Sequence, residues 1–205
     1  MKTQKTCSYA SRSLVLAVSL IFLTAGNSAR AASGSTTMDS EAATNEASVV
    51  DKISASFDTF AGSSDNAIAL VVGLHDGSDI SLSTTDPVTT ITTDTTFTPA
   101  TGAMGYGNVY IALGLAAASL EQAGIINPTA TDIEAVLNGG IVTPDASDPA
   151  TTVELSGVLV LRSDGMGWGQ IAHQIGVKLG PVMSALNHDA RTLKKANKPA
   201  HSHTK

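Results

Sequence analysis

Apolar residues recur along this chain at two spacings, and the points where one spacing gives way to the other divide it into short elements. Val49, Val50, Ile53, Phe57 and Phe60 follow at helical steps of three and four, and Gly62 ends that run. Ala67, Leu70, Val71 and Leu74 form the face of a second helix, capped by Ser64 or Asp65 and stopped at Gly77. Ile80 and Leu82 then alternate with polar neighbours, as a half-buried strand would. Ser83–Thr101 is Thr-rich and broken by Pro87 and Pro99, which predicts either a long loop or an edge strand over Val88–Thr92. Asn108–Ala123 reads as a buried, almost uncharged helix with Val109, Ala112, Leu115, Ala116, Ser119 and Leu120 on one face and Gly124 as its stop. Pro128 opens the next helix, which turns Ile133, Val136 and Leu137 inward and ends at Gly139-Gly140. Ile141–Thr143 is a second short strand, expected to pair with Asp79–Leu82. Leu155, Val158, Leu159 and Leu161 predict a helix over Glu154–Asp164, and Gly165–Leu186 reads as two short helices around a glycine turn.

Part of this pattern occurs twice. Met104-Gly105-Tyr106-Gly107-Asn108-Val109 matches Met166-Gly167-Trp168-Gly169-Gln170-Ile171, and Gly114 matches Gly176, each pair 62 positions apart. Methionine and glycines are identical, and the remaining pairs are two aromatics, two side-chain amides and two β-branched aliphatics. Repeats weigh heavily in a fold assignment, because each copy is one structural unit. The expected fold is therefore mainly α, a small helical domain of two pseudo-repeated units (about 65–123 and 132–186) that share one short two-stranded β element.

The N-terminus reads as an export signal. Lys2, Lys5 and Arg12 precede an apolar stretch, Leu14–Thr24, and Ala29-Arg30-Ala31 supplies the small-x-small pattern that places cleavage between Ala31 and Ala32. The stretch is shorter than the ~20 residues of a membrane span, so no span is expected after cleavage. Removal of 31 of the 205 residues leaves 174, enough for one domain with a modest core. The expected division is a signal peptide (1–31), a flexible leader (32–46), a helical domain (47–188) and a disordered basic tail (189–205).

Composition narrows the function. Cys7 is the only cysteine, so the exported part carries neither a disulfide nor a cysteine-type zinc site. From Ala32 to Ala190 only Lys52, Arg162 and Lys178 are basic against 18 acidic residues, whereas Arg191–Lys205 holds five basic residues and no acidic one. An acidic body of this kind repels nucleic acid and anionic lipid.

Two resemblances add expectations. Ala172, Gly176 and Val182 stand at the spacing of a helix-turn-helix, and Gln170–Val177 resembles the first helix and turn of bacterial DNA-binding domains. Lys178 is the only cation in the would-be reading helix before Asn187, and Pro181 fits only its first turn, which argues against DNA. Phe57–Leu74, Phe97–Leu115 and Ser163–Gly180 together resemble a family of uncharacterised exported proteins of Gram-negative bacteria. That resemblance implies a secreted or periplasmic location and no particular activity.

No residue set assembles into a catalytic constellation. The Met-Gly-aromatic-Gly turns lack the third glycine and the leading strand of a dinucleotide fingerprint. His75-Asp76 has no further ligands to make a metal centre, and a histidine at a helix end favourably meets the dipole. Ser163-Asp164 and His173 are near in sequence, without the orienting geometry that nucleophilic catalysis needs. His201 and His203, in the tail, suit only adventitious metal. The expectation is thus an exported, non-catalytic module of the envelope with no cofactor and no metal, whose partner is an unidentified envelope protein or a second copy. The candidate interaction or ligand positions are Tyr106, Asn108, Trp168, Gln170 and His173. The alternative is a small-molecule-binding or enzymatic protein with a cleft near Tyr106 and Trp168, and a DNA binder comes third.

Overall fold

In the computed structural model the two hydrophobic periods become seven helices and two hairpins among the described residues, which are 36–85, 89–144 and 151–196. The helices are α1 (Thr36–Ala61), α2 (Ser64–Asp76), α3 (Tyr106–Gln122), α4 (Ala130–Asn138), α5 (Val158–Ser163), α6 (Trp168–Gln174) and α7 (Leu179–Ala196). The strands are β1 (Ile80–Thr85), β2 (Thr92–Phe97), β3 (Gly140–Val142) and β4 (Val153–Leu155). The chain divides into two compact units, Met1–Thr36 and Thr37–Lys205, and only Thr36 of the first is described.

The α3 helix, with Glu121 as its one charged residue, is the central element. Val109, Ala112, Leu113, Leu115 and Ala116 are fully shielded from water, and α3 touches α2, α4, α5 and α7. Its Gly114 is a notch for α7: a Cβ there would lie 2.4 Å from Leu186 Cδ1 and 3.3 Å from Val182 Cγ1. A side chain at this position would push α7 off the core. From α1, Phe57 reaches the core at 2 % exposure, edge-on to Phe60 and Tyr110.

Helix ends follow one rule. α2, α3, α5 and α6 each stop at a glycine with left-handed backbone: Gly77, Gly124, Gly165 and Gly176. The next amide then turns back to an unpaired carbonyl, as in Ile125 N–H to Leu120 O at 2.9 Å and Val177 N–H to Ala172 O at 2.9 Å. Starts are set by side chains at α2, where Ser63 accepts from Asn66 N–H, and at α4, where Thr129 and Asp132 form a reciprocal box.

Strand pairing departs from expectation. Ile141–Thr143 does not pair with Asp79–Leu82, and there are two sheets rather than one. β1 pairs antiparallel with β2 in register Ile80 to Phe97, and β3 pairs with β4 in register Gly140 to Leu155. Each strand takes a partner near in sequence, which closes a shorter loop. The β1–β2 ladder buries Ile80, Leu82 and Phe97 on one face. Its other face carries hydroxyl pairs, Ser81 to Thr96 at 2.8 Å and Thr85 to Thr92 at 3.0 Å. The Thr-rich run thus holds a strand at Thr92–Phe97 rather than Val88–Thr92, whose residue Val88 lies outside the described residues.

The helix expected over Glu154–Asp164 is split. Val153–Leu155 is a strand, and the helix begins only at Val158, because Gly157 takes φ +75° between them. A Cβ on Gly157 would lie 2.4 Å from the backbone nitrogen of Gly139, so two chain segments cross there in backbone contact. The boundaries at both ends also move. α1 begins at Thr36, inside the stretch read as a leader, and α7 continues to Ala196, into the stretch read as a disordered tail. Residues 189–196 contain no glycine or proline and are rich in helix formers, and basic residues suit a helix C-terminus. The signal-peptide stretch 1–31 and the tail beyond 196 lie outside the described residues. Among those that are described, no helix is long and apolar enough to cross a membrane.

Candidate functional site

The site forms where the two Met-Gly-aromatic-Gly segments start their helices. Ahead of the first, the loop 98–105 is clamped from two sides. Asn138, at the end of α4, donates Nδ2 to Thr98 O at 2.7 Å and accepts from Ala100 N–H at 3.0 Å. Met104 N–H donates to the last carbonyls of α2, Leu74 at 3.2 Å and His75 at 3.1 Å. Gly105 then precedes Tyr106 with extended backbone, φ −65° and ψ 149°. Gly167 precedes Trp168 in nearly the same conformation, φ −73° and ψ 152°. The identical glycines thus place each aromatic at the first position of its helix.

The two aromatics face different neighbours. The ring of Tyr106 stacks on His75 at 3.8 Å and 12°, and its hydroxyl donates to Glu46 Oε1 at 3.0 Å. Loss of hydration first, and then the hydrogen bond and charge of Glu46 and the charge of Asp76, push this phenol up to about 12. His75 Nδ1 lies 2.7 Å from Met104 O, and its Nε2 lies 3.8 Å from the Glu46 carboxylate. Trp168 instead donates Nε1–H to Asn108 Oδ1 at 3.1 Å. The guanidinium of Arg162 lies over the indole, 4.9 Å from the ring centroid, and is fixed by Nη1 donating to Met166 O at 2.8 Å.

Asn108 and Trp168 are therefore joined, whereas Tyr106 belongs to a separate cluster with Glu46 and His75. Gln170 folds back to accept from Gly167 N–H at 2.9 Å, closing the start of α6. It and His173 lie on the exposed side of that helix. Ala31 and Ala32 lie outside the described residues. Arg162 was not among the candidates. Its signal was its rarity, as one of three cations between Ala32 and Ala190, placed just before the glycine that ends α5.

Beside this junction runs an open groove of about 650 Å³, between the Ala100–Gly105 segment on one side and Asn108, Arg162, Ser163 and Gly165 on the other. A second cavity of about 380 Å³ lies between Ser119 and Gln122 of α3, the Val153–Val158 segment and Gln174. Ser163 spends its hydroxyl on Val160 O, 2.8 Å away in its own helix. No group of three or more histidine, cysteine or acidic side chains able to hold a metal occurs among the described residues. No family model, no curated protein and no solved structure matches this chain.

Proposed function

We propose that the chain is an exported, non-catalytic module that engages another envelope protein, or a second copy of itself, through the outer side of α6. The observation that carries this reading is the Trp168–Asn108 hydrogen bond. It makes the tryptophan an internal fastener between α3 and α6, while Gln170 and His173 remain turned outward. The rival reading, a ligand lip made by both aromatics, loses support because Tyr106 is stacked on His75 instead. A non-catalytic role is favoured by the commitment of His75 to a backbone carbonyl and of Ser163 to its own helix. Export is supported by the basic start, the apolar Leu14–Thr24 and the Ala29-Arg30-Ala31 pattern.

The same reading takes the two halves as copies of one unit. Its support is the shared order of helix, positive-φ glycine, hairpin and Met-Gly-aromatic-Gly helix start. Gly77 and Gly139, 62 positions apart, both take positive φ, and Ile80 and Val142 at the same offset are both buried.

Site-specific photo-crosslinking in the producing cells tests the interaction. A crosslinking residue at His173 is expected to give a discrete adduct that is absent when the same residue replaces exposed Lys52. The absence of any adduct at both Gln170 and His173, with a monomer in sedimentation velocity, would overturn the reading.

A further inference from the structure

The groove beside Arg162 has a charge pattern opposite to that of the rest of the body. No carboxylate lines it, and Asp164, between Ser163 and Gly165 of the lining in sequence, is exposed and does not line it. Arg162 makes no ion pair among the described residues, although acidic side chains greatly outnumber basic ones. Its Nη1 is held by Met166 O and its face by Trp168, which fixes the guanidinium and leaves the Nε–Nη2 edge as a two-pronged donor.

Four features around the groove agree. The seventeen-residue α3 begins there with a glycine that provides no side-chain cap and no acidic residue in its first turn, so the helix start itself supplies no counter-charge to its positive end. Gly102 and Gly105 have neither positive φ nor any atom within 4 Å of an added Cβ, so packing demands neither glycine, and both leave the groove open. The hydroxyl of Thr101 is buried without a hydrogen-bond partner, a polar atom that folding alone leaves unsatisfied. Asn108, whose Oδ1 is taken by Trp168, keeps its amide N–H groups.

We propose that this groove binds a carboxylate, gripped by the free edge of Arg162 and the first turn of α3, with Met104 and the alanines of the loop against its alkyl part. A single fixed guanidinium on an acidic body suits a monoanion, whereas a phosphate dianion meets stronger repulsion. The inference goes beyond the interaction assigned to the outer side of α6 and does not depend on it.

The test is equilibrium dialysis of the full chain against propionate, against acetyl-tetraalanine with a free C-terminus, and against the same peptide as its C-terminal amide. Trp168 emission, under Arg162, serves as a second readout. Saturable binding of propionate and the free-acid peptide is expected, with the amide inert. Binding of the peptide acid alone identifies a chain end, and binding of propionate alone a small metabolite acid.

Two variants locate the site. Arg162→Gln is expected to weaken binding by about tenfold or more. Gly105→Asp adds a helix cap in compatible backbone, so the fold should gain stability while its charge at the groove wall abolishes binding. The proposal is overturned if no carboxylate binds up to about 10 mM, beyond the millimolar end of the affinity scale. It is equally overturned if the amide binds as well as the acid, or if folded Gly105→Asp binds unchanged.

Discussion

Asn66 and Ser83 form a two-way hydrogen-bonded pair across the α2–β1 corner. Asn66 Nδ2 donates to Ser83 O at 2.9 Å, and Ser83 N–H returns to Asn66 Oδ1 at 2.9 Å. The same Nδ2 also reaches Ala61 O, at the end of α1, at 2.9 Å. Asn66 is only 6 % exposed, so its removal leaves the buried Ala61 carbonyl and the part-buried N–H and carbonyl of Ser83 without this partner. Asn66→Ala is expected to lower unfolding stability by roughly 2–4 kcal/mol, the cost of more than one orphaned group. Urea denaturation monitored by circular dichroism measures it, and a loss below about 0.5 kcal/mol would show that water replaces the side chain.

Gly157→Ala should be among the most damaging single-methyl changes in the chain. It combines φ +75° with a Cβ 2.4 Å from Gly139 N and 2.6 Å from Asn138 C, and neither neighbour is a side chain that can swing away. A loss of roughly 3 kcal/mol or more is expected. Gly102→Ala, with nothing near and ordinary backbone, should stay within about 0.5 kcal/mol. Equal losses for the two in thermal melts would refute the backbone crossing.

Thr101→Val keeps the shape of the side chain and removes a buried hydroxyl that has no partner. The expected outcome is a gain of about 1 kcal/mol. A loss of that size in the same denaturation assay would mean that the hydroxyl has a partner in solution.

Tyr106 gives the fold an alkaline limit. Its phenol is pushed from 10.0 up to about 12, so the folded state holds the proton more tightly than the unfolded chain does. That contribution is complete below pH 10.0 and is lost as pH rises towards about 12. Tyr106→Phe should be less stable than the parent at pH 7 and should flatten the decline in melting temperature above pH 10. Parallel declines in the two proteins would assign the alkaline loss to other groups.

How much of this was legible follows from the kind of signal each part carries. The faces of α2, α3 and α4 and the stops at Gly77 and Gly124 rest on local period and local backbone need, which a single sequence displays. Strand partners do not, since the alternation of Ile80 and Leu82 marks a strand without saying what lies beside it. Thr92–Phe97 has one buried apolar residue, Phe97, so its period was invisible. Leu155, Val158, Leu159 and Leu161 have helical spacing, but the spacing cannot reveal that Gly157 must cross Gly139. At the site, the repeated segments pointed to Asn108 and Trp168 without showing that they bond to each other. Arg162 stood out as a rare cation, yet its place over the indole comes from the turn at Gly165.

The pairing of β1 with β2 and of β3 with β4 also bears on how the chain reaches its fold. Neither ladder waits for a distant segment, and the connecting stretches are short beside the span from Ile80 to Val142 that a shared sheet would have closed. Chains dominated by neighbouring contacts cross their folding barrier quickly, in microseconds to milliseconds for helical domains. Each hairpin can therefore assemble against its own preceding helix, and the longer search falls to contacts between distant segments, such as Tyr106 with Glu46, Trp168 with Asn108 and α7 in the notch at Gly114.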